Sequence, residues 1–148
     1  MDVTPGAKTL ITELHQRGYK VGLVSGGFHE VIDPIARSLG IDLVRANRLQ
    51  TFDGRLTGKV LGEIVTPERK KDNLLTWARE NHIPRSQTIA MGDGANDLPM
   101  IETAGIGIAF MAKPIVAERA PYRIETSDLS LVLEILDQHR KETACISY

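Results

Sequence analysis

Thr88-Ile89-Ala90-Met91-Gly92-Asp93-Gly94-Ala95-Asn96-Asp97-Leu98 runs an apolar stretch into a glycine-bent turn carrying two aspartates and an asparagine. Thr88 to Met91 has the apolarity of a buried strand, and Leu98 to Thr103 continues as a helix. A strand that passes through a small-residue turn into a helix is the repeating unit of an α/β fold. The turn also has a chemistry of its own. Carboxylate and amide oxygens are the hard ligands that magnesium prefers, and glycines let backbone approach an anion with no Cβ in the way.

The same unit recurs along the chain. Lys20 to Val24 reads as a buried strand running into Ser25-Gly26-Gly27, and a helix follows through Val31, Ile35 and Leu39 to Gly40. Ahead of it, Thr4-Pro5 reads as a helix cap and first-turn proline, with Ala7, Leu10, Ile11 and Leu14 on one face and Gly18 as the stop. Leu43 to Ala46 reads as a strand, and Arg48 to Val60 as a hairpin turned at Asp53-Gly54, a dipeptide suited to positive φ. Pro67 opens a helix carrying Leu74, Leu75, Trp77 and Ala78, which ends before Pro84; Gly107 to Phe110 and Asp128 to Gln138 supply a last strand and helix. Trp77, on the apolar face, is expected in the core.

This alternation predicts a mainly parallel sheet covered on both faces, with ligands at the carboxyl ends of its strands. Ser25-Gly26-Gly27 and the acidic turn then share one edge. A helix start behind a small hydroxyl and glycines cradles phosphate through free N–H groups and the helix dipole. Taken singly, Ser25 reads as a plain helix cap, and Asp and Asn also cap helices. Two strand-end loops of complementary chemistry favour a phosphate-and-metal site.

At 148 residues, 42% hydrophobic and net charge -1, the chain is expected to form one domain over its whole length, without the basic excess of a nucleic-acid binder. Its apolar runs are strand-length, so neither a signal peptide nor a membrane span is expected. The lone Cys145 rules out an internal disulfide and fits a cytoplasmic protein. The histidines at 15, 29, 82 and 139 lack ligand spacing, which disfavours zinc.

Ser25-Gly26-Gly27-Phe28 after Val21-Gly22-Leu23-Val24, Lys71 at the head of a helix, and Gly92-Asp93-Gly94-Ala95-Asn96-Asp97 resemble motifs two, three and four of the haloacid-dehalogenase superfamily, specifically its phosphoserine phosphatases. Ala46-Asn47-Arg48-Leu49, Asp53-Gly54-Arg55-Leu56-Thr57-Gly58 and Ala109-Phe110-Met111-Ala112-Lys113-Pro114 resemble the same family. The acidic signature alone is shared with cation-pumping P-type ATPases; the Ser-Gly-Gly-Phe loop and the hairpin segment favour the phosphatases.

The resemblance implies a Rossmann-like core acting on a phosphomonoester, phosphoserine, with magnesium as cofactor, in the last step of serine biosynthesis. It gives the phosphate to Ser25, the Gly26 amide, Asn96 and Lys71. Asp93 becomes the magnesium ligand, and Asp97 the carboxylate that orients Lys71 or a metal-bound water. Of the adjacent Lys70 and Lys71, the helix start Asp72-Asn73-Leu74-Leu75 favours Lys71. Asn47, Arg48 and His29 receive no role.

The chain departs from the pattern in its first motif. The family's Asp-x-Asp-x-Thr, which holds the nucleophile at the end of the first strand, is absent, as is the helical cap that encloses substrate. Met1-Asp2-Val3-Thr4 has no aspartate two positions before Asp2 and no apolar lead-in, so Asp2-Val3-Thr4-Pro5 reads as a helix entry. The chain therefore reads as the carboxyl-terminal portion of such an enzyme. The alternative is a non-catalytic chain that binds metal, phosphate or a partner. In this superfamily the missing strand is central, so two apolar edges should face each other across a gap, leaving the chain marginally stable, prone to self-association, or dependent on complementation by the missing segment.

Overall fold

The structure is a computed structural model that describes residues 4–62 and 64–146. Asp2 and the residues on either side of it lie outside that range. Among the described residues the strands form two three-stranded sheets, ordered β1-β2-β3 and β4-β5-β6, with helices packed on them.

The first sheet holds β1 (Gly22–Phe28), β2 (Leu43–Phe52) and β3 (Arg55–Leu61). β1 and β2 are parallel, joined by α2 (His29–Leu39), while β2 and β3 form the expected antiparallel hairpin. Its turn lies at Asp53 and Gly54, with φ of 53° and 75°, the paired positive values that a two-residue turn demands. The second sheet holds β4 (Ile89–Gly92), β5 (Ile106–Phe110) and β6 (Tyr122–Ile124), all parallel. α4 (Leu98–Thr103) and α5 (Pro114–Arg119) make its crossovers.

Three local readings need correction. Ser25-Gly26-Gly27 is not a free loop but the end of β1, where Val24 pairs with Arg45 and Phe28 with Asn47. Four steps along β1 therefore match two along β2, and the surplus bulges out of the ladder. Second, α2 buries His29, Ile32 and Ala36, whereas Val31 is half exposed. Because the strand runs directly into the helix, the buried face starts one residue later than the apolar spacing suggests. Third, α1 (Ala7–Gln16) is capped by Gly6 at φ 83° rather than by Thr4-Pro5. A Cβ at Gly6 would overlap the Asp128 side chain, so close approach of the two segments selects glycine.

The main core lies on the second sheet. Leu10 and Leu14 of α1 join Ile106 and Ile108 of β5, Ile124 of β6, and Val132, Ile135 and Leu136 of α6 (Val132–Ile146). The bridge between the sheets is α3 (Pro67–Glu80), which packs on α4 and on β1. Its start is fixed by Thr66, whose side chain accepts a hydrogen bond from the Arg69 N–H at 3.2 Å, with Pro67 in the first turn. The Trp77 ring is only half buried and lies where a Cβ on Gly22 would come within 2.7 Å.

No described strand pairs with β1 on its side away from β2, or with β4 on its side away from β5. Between these edges lies a cavity of about 460 Å³, walled by residues including Val24 of β1, Ile89 and Met91 of β4, and Trp77 of α3. The two edges have not closed on each other.

Candidate active site

Ser25, Asp93 and Asp97 line that cavity, and the lysine that joins them is Lys70. Its Nζ donates to Asp97 Oδ1 at 2.7 Å, and the two side chains are 8% and 10% exposed. Lys71, the lysine favoured by the sequence, is turned away: it is half-buried and does not line the cavity. The structure therefore brings Lys70, rather than Lys71, to the cavity. A signal for this was present, since Leu74, Trp77 and Ala78 stand four, seven and eight residues after Lys70, on its own helical face.

Asp97 organises the turn in front of it. Its Oδ2 accepts from the Asp93 N–H at 3.1 Å and the Gly94 N–H at 3.3 Å, and its own N–H donates to the Gly94 carbonyl at 2.9 Å. One buried carboxylate thus fixes both Lys70 and the backbone that presents Asp93. Gly92 is required beside it, because any Cβ there would overlap the Asp97 side chain. A Cβ on Gly94 would approach Asn96 Oδ1 to 2.7 Å.

The Asp93 carboxylate is exposed at the cavity mouth and unengaged by the described residues, while Asn96 is exposed on the turn and outside the lining. Magnesium keeps several waters and takes one or two carboxylates, so Asp93 fits a share of such a site. Among the described residues no three His, Cys, Asp or Glu side chains come together to hold a metal. On the opposite wall, Ser25 Oγ accepts from the Gly27 N–H at 3.0 Å, and Gly26 is exposed.

Two buried residues without a role in the sequence reading hold this wall in place. Asn47 Nδ2 donates to the Gly26 carbonyl at 2.9 Å, and its Oδ1 accepts from the Val65 N–H at 2.8 Å. His29 Nε2 accepts from the Ala46 N–H at 3.1 Å, so its proton sits on Nδ1, which donates to Asp33 Oδ1 at 2.8 Å. His29 is thus a bracket between α2 and β2. Local sequence does not announce these backbone bonds, because their partners lie 17 to 21 residues away.

The chain is 65% identical over 133 residues to a phosphoserine phosphatase of Streptococcus thermophilus, covering 90% of this chain and 62% of that protein. It is 55% identical over 136 residues to that of Lactococcus lactis, covering 92% and 63%. The structure matches a probable phosphoserine phosphatase from Vibrio cholerae with TM-score 0.89 at 39% identity, over 93% of this chain and 42% of that one. It matches a phosphoserine phosphatase solved as a phospho-aspartyl intermediate analogue with TM-score 0.85 at 45% identity, over 90% and 64%. The chain spans under two thirds of the length of these relatives. Residues 2–102 match the family model for haloacid dehalogenase-like hydrolases, and with two sheets and α3 presenting a hydroxyl, an acidic turn and a paired lysine to one cavity, the chain belongs to that family.

Proposed function

We propose that this chain supplies the phosphate- and cation-binding part of a magnesium-dependent phosphoserine phosphatase, a phosphoric monoester hydrolase. The observation that carries the reading is the convergence of Ser25, Lys70, Asp93 and Asp97 on one cavity from two separate sheets and the helix α3 between them. Phosphoserine phosphatases among the relatives, one of them solved as a complex with bound substrate, support the choice of substrate. The product would be serine, as the last step of its biosynthesis in the cytoplasm.

Each residue has a task that its surroundings suit. The Ser25 hydroxyl and the Gly26 N–H would donate to phosphoryl oxygens, and Asn96 would add a donor from the facing turn. The Lys70 ammonium would neutralise charge on the phosphoryl group and on its acceptor, held in place by Asp97. A phosphoryl-transfer transition state asks mainly for such pre-placed positive charge and donors. Asp93 would hold magnesium, whose chemistry is to neutralise and orient phosphoryl oxygens.

The covalent step needs one more group. A carboxylate would take the phosphoryl group as the P–O bond to serine breaks, an acidic side chain beside it would give its proton to the serine oxygen, and water, returning a proton to that side chain, would then release phosphate from the acyl phosphate. Of the two aspartates that line the cavity, Asp97 is bonded to Lys70, and Asp93 would be taken by the cation. We assign the nucleophile to a segment that enters between β1 and β4. The relative captured as a phospho-aspartyl analogue supports an aspartate there.

The test is phosphate release from L-phosphoserine with magnesium, using the chain alone and with an apolar peptide ending in Asp-x-Asp-x-Thr. Release is expected only with the peptide, and is expected to vanish in Asp93→Ala. Release by the chain alone would place the nucleophile within it. If neither mixture turns over and magnesium and phosphate do not bind, the proposal is wrong.

A further inference from the structure

We infer that Asn47 is a positioning residue that sets the Ser25-Gly26-Gly27 bulge at a fixed separation from Lys70. The inference rests on the phosphate-binding reading of this site. The bulge lies where β1 leaves its ladder, between the Val24–Arg45 and Phe28–Asn47 pairs, so sheet pairing does not hold it. Two consecutive glycines leave its backbone free of side-chain restriction. Its own internal tie, the Gly27 N–H to Ser25 Oγ, fixes the shape of the bulge but not its place in the molecule.

Asn47 supplies that place. The residue is 6% exposed, and its side-chain amide spans two backbone groups of opposite kind, donating to the Gly26 carbonyl and accepting from the Val65 N–H. Val65 directly precedes Thr66, the cap of α3, and the Lys70 N–H donates to the Thr66 carbonyl at 2.9 Å. A hydrogen-bonded path therefore runs from Gly26 through Asn47, Val65 and Thr66 to Lys70, and on to Asp97 in the second sheet. Residue 47 itself is anchored by its neighbour, since His29 holds the Ala46 N–H. The carboxamide offers a donor to one side and an acceptor to the other; an ionised aspartate can serve Val65 but not the Gly26 carbonyl. Asn47 does not line the cavity, so it acts through the groups it holds.

The experiment compares Asn47→Asp, Asn47→Ala and a core control, Ile135→Val, in the full chain. Inorganic phosphate is titrated in the presence of magnesium by NMR, and amide exchange and melting temperature are measured alongside. Asn47→Asp is expected to weaken phosphate binding about tenfold and speed Gly27 exchange about tenfold while Val65 stays protected. Asn47→Ala should expose both amides, and Ile135→Val should lower the melting temperature with phosphate affinity unchanged. Wild-type Gly27 exchange in Asn47→Ala overturns the inference. So does a loss of affinity that merely follows melting temperature across all three variants. A wild-type chain that ignores phosphate strikes the proposed function alone, and the exchange pattern then decides the role of Asn47 by itself.

Discussion

Adjacent lysines in α3 have opposite surroundings because about 100° of helical rotation separates consecutive residues. Lys70 faces Asp97 in a nearly dry pair, whereas Lys71 faces away from the cavity. Replacing Lys70 by methionine keeps the stem but strands a buried carboxylate, at a cost of about 3–5 kcal/mol. Lys71→Met should stay within about 0.5 kcal/mol of wild type. Urea unfolding of the two variants tests the assignment, and equal midpoints would return the site to Lys71. The acidic turn was legible at this scale because its residues are contiguous and their chemistry is unusual. Lys70 was legible only in part: Leu74, Trp77 and Ala78 share its helical face, but Leu75 and Ala78 stand on the face of Lys71, and the partner of Lys70 lies 27 residues away. Asn47 was harder still: Ala46-Asn47-Arg48-Leu49 resembles the family, but an asparagine that bonds only to backbone shows no role in a single sequence.

At the scale of elements, α1, β1 and β2 meet at Asp42. Its Oδ2 accepts from the Val21 N–H and contacts His15 Nε2, each at 2.8 Å. Burial pushes the Asp42 carboxyl up, but the Val21 N–H together with His15 and Lys20 outweighs it and holds the group below the ordinary carboxylate value. A depressed carboxyl contributes stability above its unfolded-state value and loses it as pH falls through the folded one, so the window lies at and below about pH 4. With the side chain 30% exposed, the contribution is about 1 kcal/mol or less. Melting curves of wild type and Asp42→Asn should differ at neutral pH and converge in acid; a gap independent of pH would deny Asp42 this role. Long elements were read well at this scale, and the hairpin best of all, because Asp53-Gly54 meets a steric demand that few dipeptides satisfy. β6 escaped notice: three residues, Tyr122-Arg123-Ile124, are too few to display a period, and they become a strand only because β5 offers them an edge.

For the whole molecule, the deciding feature is the cavity between β1 and β4. The chain exposes 9378 Å², against roughly 7,500 Å² expected for a compact protein of its 16.3 kDa mass. Two strand edges with unpaired peptide groups and apolar walls account for part of this excess. An added strand would pair on both sides at once, and its backbone would contribute as much as its side chains. A peptide of apolar strand residues ending in Asp-x-Asp-x-Thr should therefore raise the melting temperature in proportion to the logarithm of its concentration. At one hundred times its dissociation constant the gain is about 2.7 kcal/mol. The same peptide with a central proline, which lacks the N–H and disrupts the ladder, should do little. Without peptide, the open edges should drive concentration-dependent association in sedimentation velocity, and bound peptide should suppress it. A monomeric chain that melts sharply and ignores both peptides would mean that β1 and β4 close together in solution, leaving no opening for a nucleophile to enter from outside.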